Sequence, residues 1–390
     1  MNFVDRRSFL RTSALGAAGA LLTVSVSAQE REKTTKKAVL RRTLGKTGLQ
    51  LPVVSMGVMR ADNPGLVRAA LAAGMVHLDT AHGYQEGKNE EMLGQVLTEY
   101  PRESFVIASK VPPESGDGKA AVQGWLAKVD MSLRRLQMDH VDILYLHAIK
   151  TRADTLAPSM LEALQLARES GRARFVGVST HKNEPEVIDA AIESGVYDVV
   201  LTSVNFKQDH YLEVKKAIER AARAGIGIVG MKTMAGGFLD KAKKQPLNCK
   251  AALKFVLQDE NVCTTIPGIT SFEQLAENAS VNEDLTMSDE EKAGLVSGRL
   301  EGGLYCQGCE HCVAGCPKQL PIPDMMRAYM YTYGYRDLAL AQNVFRTLGI
   351  AGNPCDGCSS CGAQCVKGFD VAERIADVSR VSSIPTEFLS

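Results

Sequence analysis

The chain has no cysteine before Cys249, no excess of charge of either sign, and few aromatic residues. Each shortage removes a class of protein. Lysine and arginine number 45, as do aspartate and glutamate, for a formal net charge of +0. A dedicated nucleic-acid binder needs a basic excess or a basic stripe, so no nucleic-acid partner is expected. No apolar run reaches the ~18 residues that a membrane span takes, which excludes a multi-span membrane protein. Aromatic residues make up 6%, with one Trp, against 34 Gly. That composition suits an α/β protein with many tight strand–helix turns better than a β-sandwich. Eight of the ten cysteines follow residue 305, a distribution too uneven for a disulfide scaffold. At 390 residues the chain can hold one large domain and a smaller one.

Residues 1–28 read as a targeting segment. Arg6-Arg7 precedes Phe9-Leu10, a mild apolar stretch covers 12–26, and Val26-Ser27-Ala28 offers the small residues that a signal peptidase reads. The segment resembles a bacterial twin-arginine (Tat) signal, the route of proteins exported already folded. That resemblance implies a periplasmic protein with no transmembrane domain in its mature form; an uncleaved signal serving as an anchor is the alternative. Residues 29–38 are polar and lysine-rich and read as a linker.

From Leu40 a unit repeats eight times: a short β-branched apolar run, a loop, then an amphipathic helix. The strand-like runs are 53–58, 76–79, 105–109, 141–146, 174–178, 198–204, 226–231 and 263–266. Helical spacing is clearest over 121–136, 160–169, 184–193 and 211–224. Strands alternating with helices imply a parallel sheet. Eight units over roughly 230 residues match a closed (β/α)8 TIM barrel rather than an open doubly wound sheet. A β-hairpin turning at Gly45-Lys46-Thr47-Gly48 comes first and is placed to plug the barrel bottom. Ser288-Asp289-Glu290-Glu291 starts an additional helix with a cap and acidic first turn. The barrel is assigned to 39–299 and a second domain to 300–390.

Polar residues mark the C-terminal ends of three strands, where a barrel carries its active face. They are Asp79 with Tyr84 just beyond it, Lys110, and His147. Hydride reduction of a carbonyl builds negative charge on oxygen. A tyrosine can protonate that oxygen, a neighbouring lysine stabilises the phenolate, and an aspartate keeps the lysine charged. A histidine can orient or polarise the carbonyl. Arg42-Thr43-Leu44-Gly45-Lys46-Thr47-Gly48-Leu49, the Asp79…Tyr84 context, Lys110, and Val141 through His147 together resemble the aldo-keto reductases. The resemblance covers about residues 40–285 and implies a catalytic tetrad of Asp79, Tyr84, Lys110 and His147.

The same resemblance implies NADP or NAD bound across the barrel top. The matching positions are Ser179, Thr180 and Asn205 near the nicotinamide, and Met231, Lys232, Thr233 and Gly236, followed by Gly237, on the phosphate side. Ser271, Gln274 and Asn278 fall at the adenosine. Gly268 and Gln274 stand where many members carry the Lys and Arg that hold a 2′-phosphate.

Beyond residue 300, Cys306, Cys309, Cys312 and Cys316 form C-x2-C-x2-C-x3-C followed by Pro317. Cys355, Cys358, Cys361 and Cys365 repeat the spacing, followed by Val366. Two such runs are the signature of a dicluster ferredoxin with two [4Fe–4S] clusters, the fourth cysteine of each run crossing to the other cluster. The expected sets are Cys306, Cys309, Cys312 and Cys365, and Cys355, Cys358, Cys361 and Cys316. The spacer between the runs reads as helical over 324–331 and 336–348, resembling the helical ferredoxin modules of quinone-linked reductases.

Together these readings predict an exported oxidoreductase of aldo-keto reductase type. It moves hydride between NAD(P) and a small carbonyl or alcohol substrate. Electrons pass through two clusters to a redox partner protein or quinone-linked carrier. The alternative from another class is an electron-carrier or redox-sensing subunit in which the barrel is a docking scaffold.

Overall fold

The structure is a computed structural model that describes residues 38–236, 247–300 (backbone only from 296), 305–306 and 308–389. The signal-like segment, the linker up to residue 37 and Gly237 lie outside the described residues.

An antiparallel hairpin opens the described chain, β1 (Arg41–Thr43) with β2 (Gln50–Pro52). The eight-stranded parallel sheet runs β3 (Met56–Gly57), β4 (His77–Asp79), β5 (Val106–Val111), β6 (Val141–Leu146), β7 (Ala173–Thr180), β8 (Val199–Ser203), β9 (Gly227–Met231) and β10 (Val262–Thr265), each paired with its sequence neighbour. Parallel bridges Val54↔Thr265 and Gly57↔Gly268 join its two ends into a barrel. The first strand is shorter than its apolar run because Val53 and Ser55 spend backbone bonds on Thr265 instead, at 2.9 and 2.8 Å.

Helices follow the strands: α1 (Pro64–Ala72), α2 (Lys88–Leu97), α3 (Gly118–Leu136), the short α4 (Arg152–Thr155) with α5 (Pro158–Glu169), α6 (Glu184–Ser194), α7 (Tyr211–Arg223), α8 (Cys249–Leu257) and α9 (Phe272–Ser280). The added helix is α10 (Asp289–Leu300), and the C-terminal segment contributes α11 (Ile322–Met330), α12 (Leu338–Thr347) and α13 (Val371–Ser379). Among the described residues no helix is long and apolar enough to cross a membrane.

The strands read as nearly continuous apolar runs because both faces are covered. Every residue of β6 is buried. Ala108, Ile143, Tyr145, Val199, Leu201 and Val229 fill the barrel interior. Alternate positions such as Leu144, Val200 and Ile228 join the core beneath the helices. Leu44, Leu49 and Leu51 of the hairpin close that interior. They enter at the strands' N-terminal end, where Lys46 N–H donates to Gly225 O at 2.8 Å. The Arg42 guanidinium fixes the plug by donating to Leu257 O, Asp259 O and Val262 O at 2.8, 3.1 and 2.7 Å. A cation there also offsets the carbonyl end of α8.

In the C-terminal segment, α11, α12 and α13 share a separate core of Ile322, Met325, Met326, Ala341, Phe345, Val371, Ile375 and Val378. Between α11 and α12 the chain widens into one π-turn, Tyr331–Tyr335. Four of the eight clustered cysteines, Cys306, Cys316, Cys355 and Cys365, pack at the margin of this core, and Cys312 lies within it.

His77 in β4 is fully buried, and neither ring nitrogen has a hydrogen-bond partner among the described residues. Burial lowers its pKa to about 4, with Asp142 pulling up and Lys110 pushing further down. An unfolded histidine titrates near 6.5, so the stabilising effect of a neutral His77 is complete above that pH. It is lost as pH falls through the folded value, a swing of about 3 kcal/mol. Chemical denaturation at pH 7 and pH 5 will show a lower midpoint at pH 5, and His77→Leu will flatten that pH slope.

Candidate active site

The three strand ends converge at one mouth of the barrel. Asp79 ends β4, Lys110 is the penultimate residue of β5, and His147 follows β6. Tyr84 is delivered by a tight turn, Tyr84–Gly87, whose Gln85 and Glu86 hold φ of 51° and 57°. A left-handed conformation costs a non-glycine residue roughly 1–2 kcal/mol, so two in succession need external restraint. Gln85 Nε2 donates to Met59 O at 3.2 Å, and Glu86 pairs with Arg346 at 2.7 Å. Gly87 completes the turn at φ 95°, where a Cβ would strike the Arg135 guanidinium. That guanidinium donates to His82 O at 2.9 Å and to Glu90 at 3.2 Å.

Lys110 and Asp79 are each 2% exposed, and their charged atoms lie 2.5 Å apart. The ammonium also donates to Thr80 O at 2.5 Å and to the Tyr84 hydroxyl at 3.4 Å. Burial alone lowers a lysine pKa, but Asp79 and Tyr84 outweigh it here and raise that of Lys110. Lys110 is therefore a cation at neutral pH. Burial raises the Tyr84 pKa above its ordinary value although Lys110 opposes the shift. The phenol is accordingly protonated and sits against a fixed positive charge. The His147 ring meets Tyr84 edge-on at 6.0 Å between centroids. Burial, Lys110 and Arg327 lower its pKa to about 3, so it acts as a neutral imidazole.

Of the residues expected at a nucleotide, Ser179 and Thr180 end β7 and are buried. The Ser179 hydroxyl accepts from Ala148 N–H at 2.8 Å and thereby shapes the turn after His147. Asn205 and Lys232 face one cavity, where the Gln208 Oε1 has no partner; the nearby Thr233 Oγ1 is also buried and unpartnered. Met231 ends β9, and Gly236 follows at φ 101°. Ser271 caps α9 by accepting from Gln274 N–H at 3.3 Å, and Gln274 Oε1 accepts from Thr270 N–H at 2.8 Å. Asn278 is buried on the same helix. Ser271 caps the helix that carries Gln274 and Asn278. Orphaned acceptors at Gln208 and Thr233 fit a ligand that brings amide and hydroxyl donors to the barrel mouth.

The C-terminal segment covers this mouth. Lys182 pairs with Glu310, Lys367 with Asp209, and Lys150 with Asp324 at 3.3 Å. Arg60 donates to Tyr335 O at 2.7 Å. Arg327 on α11 pairs with Asp324 and donates to His181 Nε2 at 3.2 Å. The Tyr331 and Tyr335 rings lie 5.5 Å apart between centroids, tilted by 35°, and Tyr84 influences both.

Sequence reasoning missed His181 and Arg327. His181 was findable, since it follows Ser179-Thr180 at a strand end just as His147 follows β6. Arg327 meets the barrel across 146 residues, and no local signal marks it.

The clustered cysteines sort by mutual influence. Cys309 and Cys365 act on Cys306; Cys306, Cys365 and Cys309 act on Cys312; Cys358, Cys361 and Cys316 act on Cys355. Gly315 and Gly362 make this crossing of the two runs feasible, because a Cβ on either would collide with the other's carbonyl. Among the described residues no three potential ligands close on a point as a single metal ion requires.

A strand-end Asp–Tyr–Lys–His constellation on an eight-stranded parallel barrel defines a class of carbonyl oxidoreductases, and comparison with known proteins agrees. The Aldo/keto reductase family model matches residues 57–251, and the chain belongs to that family. It is accordingly an NAD(P)-dependent oxidoreductase of that type. It is 25% identical over 303 residues to L-galactose dehydrogenase of Arabidopsis thaliana, covering 67% of this chain and 94% of that one. It is 24% identical over 324 residues to L-glyceraldehyde 3-phosphate reductase of Escherichia coli strain K12, covering 67% and 93%. A solved aldo-keto reductase from Bacillus halodurans shares the fold, with a TM-score of 0.57 at 23% identity over 67% of this chain and 96% of that one.

Removing one partner of a buried ion pair leaves the other uncompensated, at about 3–5 kcal/mol. Asp79→Asn will therefore lower unfolding free energy by that order. Urea denaturation of the variant beside the parent will measure it.

Proposed function

We propose that the chain is an exported oxidoreductase. In this reading the barrel exchanges hydride with a small carbonyl or alcohol substrate, and the segment after residue 300 carries two [4Fe–4S] clusters that pass electrons to a redox partner protein or quinone-linked carrier. The observation that carries the catalytic half is Lys110, buried between Asp79 and the Tyr84 hydroxyl. A bound nicotinamide supplies or receives the hydride. As negative charge grows on the substrate oxygen, Tyr84 donates its proton to it. Lys110 steadies the phenolate left behind, and Asp79 keeps Lys110 charged. Neutral His147 beside Tyr84 orients the substrate oxygen by hydrogen bonding. Asn205, Lys232 and Thr233 would hold the nucleotide near the mouth; Ser271, Gln274 and Asn278 would hold its adenosine.

Reduction needs the protonated phenol and oxidation the phenolate. A Tyr84 pKa above the ordinary 10 keeps the acid form through neutrality. The kcat/KM for carbonyl reduction will stay level to mildly alkaline pH and fall beyond it, and that for alcohol oxidation will rise over the same range. Tyr84→Phe will lose about 10²–10⁴-fold in both directions. An unchanged rate in that variant, or no binding of NAD(P)H by fluorescence titration, would favour the docking-scaffold reading instead.

The twin-arginine signature supports export, and the duplicated spacing with its crossed grouping supports the clusters. Cys365→Ala will remove the same cluster as Cys306→Ala, and Cys316→Ala the same as Cys355→Ala. Iron content and electron paramagnetic resonance of the purified variants will show whether loss follows the crossed sets or the linear runs.

A further inference from the structure

Around and beneath the Lys110 ammonium, the barrel interior carries three polar side chains whose hydrogen bonding is incomplete. His77 and Asp79 stand two residues apart on β4 and so share its inward face. Their register partners on β5, Val106 and Ala108, belong to the packing of the barrel interior. Tyr145 on β6 is the register partner of Lys110 and enters the same interior one strand over. All three are buried. Both His77 ring nitrogens, Asp79 Oδ2 and the Tyr145 hydroxyl have no hydrogen-bond partner among the described residues. Lys110 takes only the other carboxylate oxygen, Asp79 Oδ1. The Tyr145 ring lies against Gly177 on β7, where a Cβ would stand 2.6 Å from its Cδ1. A phenylalanine would fill that space equally well, so packing does not account for the hydroxyl. Asp79 acts electrostatically on Tyr145, which makes the two groups neighbours although neither bonds the other. Polar atoms left unpaired in such surroundings are costly.

A buried water typically makes about three hydrogen bonds to polar groups that are otherwise unsatisfied. Three such groups stand here. We infer that an ordered internal water joins Asp79 Oδ2, the Tyr145 hydroxyl and a His77 ring nitrogen, and that Tyr145 is thereby a positioning residue for Asp79. The water donates to the carboxylate and accepts from the Tyr145 hydroxyl. Asp79 then has both oxygens engaged, Oδ1 by Lys110 and Oδ2 by the water. The carboxylate is held in one orientation beside the ammonium. Its charge is also spread toward the water, so it cancels less of the Lys110 charge felt at the Tyr84 hydroxyl. Of the other ionisable groups nearby, Cys263 acts on Tyr145, and Asp142 acts on His77. The kinetic part of the test rests on the barrel acting as the reductase; the water does not.

The full chain is crystallised at a resolution that orders internal waters, and Tyr145→Phe is prepared beside it. The expected result is one water within hydrogen-bond distance of Asp79 Oδ2 and the Tyr145 hydroxyl. No water at that place, or a direct bond between the two groups, overturns the inference. Kinetics read the positioning role, with benzaldehyde and NAD(P)H in one direction and benzyl alcohol and NAD(P)⁺ in the other. Without the Tyr145 hydroxyl the Tyr84 phenolate is less stabilised, which weighs on oxidation alone. In Tyr145→Phe the kcat/KM for oxidation at pH 9 falls about threefold or more, while that for reduction at pH 7 stays within about twofold of the parent. Equal loss in both directions, or no change in either, overturns the inference. If the parent turns over neither compound, the reductase reading fails, and a double-mutant cycle replaces the kinetics. Urea midpoints are then compared for the parent, Tyr145→Phe, Asp79→Asn and the double variant. Non-additive midpoints uphold the link between the two residues, and additive ones overturn it. If Asp79→Asn does not fold, the crystallographic water decides alone.

Discussion

The mouth of the barrel is organised around one buried charge, the Lys110 ammonium. A cation taken out of water costs several kcal/mol unless every proton finds an acceptor. Asp79, the Thr80 carbonyl and the Tyr84 hydroxyl supply those acceptors. Each is in place only if β4 and β5 keep their register, with Asp79 opposite Ala108, and if the turn after β4 holds its left-handed residues. A second layer secures the first. Asn89 accepts from Thr80 and donates to Val58 O and Ala61 O, and Glu90 accepts from Ser109 and Arg135. The catalytic geometry is thus a consequence of satisfying one interior cation.

The covering segment follows a different physical rule. Its hold on the barrel is mostly exposed or half-exposed ion pairs, each worth about 0–1 kcal/mol. Lys182–Glu310, Lys367–Asp209 and Arg346–Glu86 are of this kind. Its own core is apolar and separate. The relatives match about two thirds of this chain and more than nine tenths of their own length.

Much of this was legible in sequence, for reasons that can be named. Strand–helix alternation marked all eight barrel units because strands covered on both faces are apolar throughout. The strand-end residues stood out because a polar residue closing an apolar run needs a reason. The C-terminal helices were placed within a few residues, but α13 escaped notice, since it follows the second cysteine run with a short apolar stripe. The expected helix over 324–331 starts two residues earlier and gives way to a π-turn that brings the rings of Tyr331 and Tyr335 together. Contacts such as Arg327 with His181, or Arg60 with Tyr335, join positions far apart in sequence, and periodicity carries no information about them.

The close passage of Gly315 and Gly362 bears on how the chain matures. Backbone runs that touch where neither can carry a side chain must be laid down together, and each thiol set draws one member from the other run. A nascent chain that has made only its first run has neither set complete. The packing of the two runs on each other therefore waits until the second run, residues 355–365, has been made.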